Sequence, residues 1–336
     1  VLGLAAGRAR DFPPWGALLV VLLSARVLAS DVAHGNVNLL VAAVLVAGAL
    51  AWSRGRELQS GLWIGLGAVL KVTPLLFVLY FARKRSSRAV VGTLLGVGLF
   101  AFVVPGLALG WQHNLDLAAA WWSQMAHPYL SGAPPGLMQT EHINQSLLGV
   151  LARLTTDAVA IPARPPELPV DVRVNLVDLD VLGLRTLHRA ACILVVLAAG
   201  WCVSPSRARR ATAATVGEWS LVALAMLMLS ERSWKQHYVT LFLPLAFLAW
   251  HALRAGSSPG PRRMAWSGLA VSTVLHGLSG SGVLGSYGSD LAEALGVFLW
   301  GAVALFAACG WILRRGSRGA PPSCGGPPQA HAPPGS

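Results

Sequence analysis

The residues in this sequence best suited to chemistry are cations and amides set where an apolar chain should avoid them. Lys71 stands within the apolar stretch 61–82, three residues before Pro74. A lysine at membrane depth costs about 2.5–3.5 kcal/mol on insertion scales, so it needs a partner or a wet cavity. The segment Glu231-Arg232-Ser233-Trp234-Lys235-Gln236-His237 places two more cations and an imidazole between two apolar runs. Cations beside a membrane suit an anionic group such as a lipid phosphate, through charge-assisted hydrogen bonds. A helix N-terminus after Lys71 would add N–H donors for the same anion. Lys71, Arg232, Lys235 and His237 are therefore candidate phosphate ligands. The plainer alternatives are a snorkelling lysine at a misplaced boundary, and a solvated loop in which Glu231 neutralises Arg232.

A second set is rich in amides. Asn36 and Asn38 lie in His34-Gly35-Asn36-Val37-Asn38, and Asn144 and Gln145 in His142-Ile143-Asn144-Gln145-Ser146. Paired donors and acceptors of this kind hold sugar hydroxyls, but the same residues also cap helices. The histidines lack metal-ligand spacing, and no metal site is expected. Neither GxxxxGK[ST] nor a GxGxxG turn occurs. A donor sugar, if one is used, would then be lipid-linked, with no resident cofactor.

These residues must be positioned by helices in a bilayer. Of 336 residues, 54% are hydrophobic and 12% charged, with a mean hydropathy of +0.58. A soluble domain carries about 25% charged residues. The excess of 26 Lys+Arg over 14 Asp+Glu accompanies long apolar runs, which points to basic membrane loops and not to nucleic acid. Candidate spans are 15–30, 36–53, 88–109, 186–203, 214–230, 238–253, 264–279 and 291–313. The arginine-rich loops fall on the cytoplasmic side if 61–82 enters and leaves by one face, as two half-helices broken at Lys71-Val72-Thr73-Pro74. The competing reading is one continuous span. A large, Pro-rich outer loop occupies about 110–185, within a single integral membrane domain, 1–316. The tail 317–336 is low-complexity and expected to be a disordered cytoplasmic segment. The fold class is an all-α polytopic membrane protein of about eight spans. The first residue is Val1, and the true N-terminus is expected upstream.

The run Gly35-Asn36-Val37-Asn38-Leu39-Leu40 resembles a signature of glycosyltransferase family 87, bacterial polyprenyl-phosphate-mannose-dependent α-mannosyltransferases of the GT-C membrane fold. The segment from Gly61 through Lys71-Val72-Thr73-Pro74-Leu75-Leu76 resembles another, as do Asn144-Gln145-Ser146-Leu147, Ser233-Trp234 and His237-Tyr238, in the family's order. The resemblance covers about residues 15–255. It implies an enzyme of the bacterial plasma membrane, acting on the outer face, that moves mannose from a polyprenyl phosphate to an envelope glycolipid or polysaccharide. Lys71, Arg232, Lys235 and His237 would meet the donor phosphate, and Asn36, Asn38, Asn144 and Gln145 the sugars. The family's catalytic Asp belongs to the first large outer loop, which would precede Val1, so this stretch by itself is expected to be inactive. Asp31 is the substitute within it. The alternative classes are a transporter or flippase, and a ligase or polymerase, for lipid-linked sugars.

Overall fold

The computed structural model describes residues 12–13, 15–130, 139–205 and 213–318. The expected tail therefore lies almost wholly outside the described residues. Helices α1 (Trp15–Ala33), α2 (Asn38–Ser53) and α3 (Glu57–Leu70) come first, followed by a 3-10 turn (Thr73–Leu76) and α4 (Phe77–Arg83). Next come α5 (Ser87–Gly98) and, through a π turn, α6 (Val104–Leu109). The short helices α7 (Trp111–Trp121), α8 (His127–Leu130) and α9 (Leu147–Thr155) lead to α10 (Val181–Cys202) and α11 (Ala213–Leu229). A 3-10 turn (Lys235–Leu241) opens α12 (Phe242–Leu253), and α13 (Pro259–Leu278), α14 (Ser281–Ala294) and α15 (Val297–Arg318) complete the described residues. Extended pairing among the described residues is limited to two isolated bridges, Ile161 with Val172 and Arg164 with Leu168.

Segments 15–33, 87–109, 181–202 and 297–315 are long and apolar enough to cross a bilayer, and 38–53, 73–83 and 213–229 are shorter apolar helices. The chain is an all-α polytopic membrane protein.

Glycine pairing decides the path between α3 and α5. Gly61 and Gly65 pack on Gly92 and Gly96, a Gly-x-x-x-Gly pair on each helix, as close membrane helices require. A Cβ at Gly61 would stand 2.1 Å from the Ala89 carbonyl oxygen, and one at Gly92 2.3 Å from that of Leu58. The 61-to-92 and 65-to-96 register makes the two helices parallel, so the intervening chain must double back. It does so at Lys71, whose backbone is extended (φ −157°, ψ 125°) between α3 and the 3-10 turn. Ser86 Oγ then donates to Glu57 Oε2 at 2.5 Å, closing the excursion at the end where it began. The segment is re-entrant, as the charge pattern requires.

The returning limb is held by aromatic rings and one buried ion pair. Phe77 lies 4.4 Å from Trp219 by ring centroids, and Phe81 5.3 Å from Trp52. Lys84 Nζ sits 2.6 Å from Glu218 Oε2, both side chains nearly inaccessible, and also donates to the Ser204 carbonyl at 2.6 Å. This end of the bundle gathers the arginines, since Arg314 donates to the Trp201 carbonyl and Arg315 covers Trp311.

Several boundaries differ from the sequence reading. The last span does not begin at 291: residues 281–294 form α14, and Gly296 (φ +86°) turns the chain into α15. The outer segment is also less irregular than its prolines suggest, because it contains α7 to α9 and ends where Asp180 caps α10 by accepting from the Gly183 amide at 2.7 Å.

Candidate functional site

At the end opposite the arginines, the α1–α2 turn meets the tip of the re-entrant segment. Asp31, fully buried near the end of α1, accepts from Asn38 Nδ2 at 2.8 Å and from the Leu39 amide at 2.9 Å. Its carboxylate thus satisfies an orphan N–H at the start of α2, where the helix dipole favours an anion. Asn38 passes the contact on, its Oδ1 accepting from Lys71 Nζ at 3.3 Å. Lys71 is therefore partnered, as a lysine at this depth must be. Asn38 and Lys71 line one pocket with Thr73, Ser230, Ser233 and His237. The pocket holds about 10 Å³, room for one water at most.

His237 lies in the turn ahead of α12, with its ring stacked on Trp234. Its Nδ1 is 3.2 Å from the Trp234 amide and 3.1 Å from the Arg232 carbonyl. One tautomer accepts from the first and the other donates to the second. Burial pushes the imidazole down to about 3, and the nearby Lys71 ammonium adds to that, against the Arg232 carbonyl contact. His237 is thus a neutral ring at ordinary pH.

The other predicted residues are divided. Lys235 belongs to a neighbouring group, with Nζ 2.5 Å from the nearly inaccessible Glu293 Oε1 of α14. The side chains of Arg232 and Asn36 are exposed. Asn144 and Gln145 are fully engaged as pins. Asn144 Nδ2 donates to the Gln139 and Glu231 carbonyls, and its Oδ1 accepts from the Ser146 and Ser233 amides. Gln145 Nε2 donates to the His142 and Glu293 carbonyls, and its Oε1 accepts from the Phe298 amide. Ser146 caps α9 through the Gly149 amide at 3.0 Å. The amide cluster therefore ties the 139–155 segment to the Ser233 wall of the pocket and to α14.

Sequence reading missed three contributors. Arg153, wholly buried, donates to the carbonyls of Thr140, Glu141, Asn144, Glu293 and Ala294. Glu293 was hidden inside a supposed span, where an acid should itself have called for a partner. Asp290 lies 3.4 Å from His142 Nε2 and 3.1 Å from Arg164, a pairing across more than a hundred residues that leaves no local signal.

Fold and site together define a polytopic helical membrane protein with a lysine held at the tip of a re-entrant segment beneath a cation-bearing loop. The profile of glycosyltransferase family 87 matches residues 1–231, and the chain belongs to that family. It is 27% identical over 264 residues to a polyprenol-phosphate-mannose-dependent alpha-(1-2)-phosphatidylinositol mannoside mannosyltransferase of Mycobacterium tuberculosis, covering 75% of this chain and 53% of the relative. The protein of the same name from Mycolicibacterium smegmatis is 28% identical over 230 residues, covering 68% and 45%. The chain thus spans about half the length of these curated relatives. No solved structure matches it.

Proposed function

We propose that the protein transfers a sugar, mannose by similarity to its relatives, from a polyprenyl phosphate to a glycolipid on the outer face of the bacterial plasma membrane. The observation that carries this reading is the convergence of Lys71, Asn38 and His237 on one pocket, in a chain of family 87. The acceptor hydroxyl attacks the sugar C1 and forms the new glycosidic bond as the bond from C1 to the phosphate oxygen breaks. Charge then grows on the departing polyprenyl phosphate, and Lys71 is placed to meet it. Neutral His237 donates a hydrogen bond there but no full charge. The pocket is too small for a phosphate as it stands, so donor entry requires the 231–237 segment to move off Lys71. Asp31 is a poor base, since both its oxygens already accept hydrogen bonds. We assign the acceptor proton to another carboxylate, the one the family carries in its first outer loop. The reading needs no resident cofactor.

The test is to supply membranes carrying the full-length protein with radiolabelled polyprenyl-phosphate mannose and phosphatidylinositol mannosides. Label entering the glycolipid fraction with release of polyprenyl phosphate supports the reading. Donor moved across the bilayer with no covalent product would assign the protein to the carriers.

A further inference from the structure

Helix α10 is the least embedded of the long helices. Only 6% of its apolar window is buried inside the protein, against 61% for α15. Between α10, α11 and the returning limb of the re-entrant segment lies a groove of about 420 Å³, within the roughly 300–1,000 Å³ of ligand clefts. Its walls are apolar, contributed by Leu76 and Leu79, Leu197 and Gly200, and Val222 and Ala225. The exception is Arg83 at the arginine-rich end. Arg83 is exposed and makes no hydrogen bond or ion pair among the described residues, and Arg85 and Arg88 stand exposed nearby. On the other side of α10 a second groove carries Arg314 and Arg315, but those guanidiniums already lie over Trp201 and Trp311, at 4.3 and 4.4 Å.

We propose that the first groove holds an anionic phospholipid of the leaflet at the arginine-rich end, one acyl chain between α10 and the returning limb and its phosphate on Arg83. The charge pattern selects this occupant. An apolar trough needs an acyl chain, an unpaired guanidinium at its mouth needs an anion, and a bidentate fork suits phosphate oxygens. Basic pockets between membrane helices at a cytoplasmic face bind anionic headgroups in the same way. This site is separate from the Lys71 pocket at the opposite end, so it does not depend on the proposed reaction. Its lipid would fill the contact that α10 lacks with protein.

The experiment is native mass spectrometry of the purified protein, titrated with dioleoyl-phosphatidylglycerol or dioleoyl-phosphatidylcholine, which share their acyl chains. Wild type is expected to retain phosphatidylglycerol at about tenfold lower concentration than phosphatidylcholine, whose quaternary ammonium offsets its phosphate beside Arg83, Arg85 and Arg88. Arg83→Gln should abolish that preference while leaving binding of either lipid at the weaker level. In Gly200→Leu, where an added Cβ meets nothing within 4 Å, the new side chain enters the groove and should reduce retention of both lipids. Helicity by circular dichroism identifies a misfolded variant, and exposed Arg83 supplies a test independent of the groove's packing. Equal retention of the two lipids by wild type, or an undiminished preference in Arg83→Gln, overturns the proposal.

Discussion

Lys71, Asn38 and Asp31 form a relay in which each polar group is satisfied by the next, and residue-scale predictions follow from that order. Asn38→Leu should leave the Lys71 ammonium and one Asp31 oxygen without a side-chain partner. A cost of about 1–3 kcal/mol, the scale for a buried polar group left unpaired, should appear as a lowered melting temperature in detergent. For His237 the sign is set by a fall from 6.5 to about 3 on folding. Between those values the unfolded chain holds a proton that the folded chain does not. Stability from this site is therefore complete above 6.5 and is lost as the pH drops toward 3. His237→Phe should flatten that part of the stability profile; an acid slope equal to wild type would mean the ring is not held neutral. Lys71, Asn38 and His237 were legible in the sequence because a polar group amid apolar neighbours is conspicuous. That Asn144 and Gln145 would be saturated by backbone groups was not, since amide side chains suit sugars and carbonyls equally.

Among elements, the re-entrant segment rests on the close approach of α3 and α5. Gly61→Val should destabilise the protein by about 3 kcal/mol, the upper range for overpacking, because the Ala89 carbonyl occupies the space its Cβ would need. Gly98→Ala, at a position with nothing within 4 Å, should be neutral or stabilise by up to about 1 kcal/mol, since alanine gains about 0.8–1.0 kcal/mol of helix propensity over glycine. Comparable melting temperatures for the two variants would remove the packing explanation. The break at Lys71 was readable from Pro74 and from the basic residues that follow. The start of α15 was not, because the apolar residues Leu291, Ala292 and Ala294 continue into the span while the positive φ of Gly296 ends the run. Hydropathy records the apolar content of a stretch but not the direction of its backbone.

Charge orders the described residues along one axis, with Arg83, Arg85, Arg88, Arg314 and Arg315 at one end and the relay, α14 and the acid-rich 139–180 segment at the other. If that axis runs across the bilayer, Asn36→Cys should react with a membrane-impermeant maleimide from outside intact cells. Arg85→Cys should react only after permeabilisation. Both side chains are exposed, so labelling reports sidedness and not burial. Labelling of Arg85→Cys from outside would contradict the orientation assigned to the bundle. The sequence assigns a sidedness because Lys and Arg positions govern orientation, and the labelling tests that assignment. The union of residues 139–160 with 231 and 293 was not, because it depends on Arg153 and Gln145 donating to carbonyls far away in sequence.

The most direct test of the account is the rate of mannosyl transfer by Lys71→Ala beside wild type, in membranes with matched protein levels and saturating donor. A cation that meets the departing phosphate should cost about 10²- to 10³-fold in kcat when removed, with Lys71→Arg recovering part of the loss. Transfer by Lys71→Ala within twofold of wild type would contradict the assignment of the donor phosphate to this pocket.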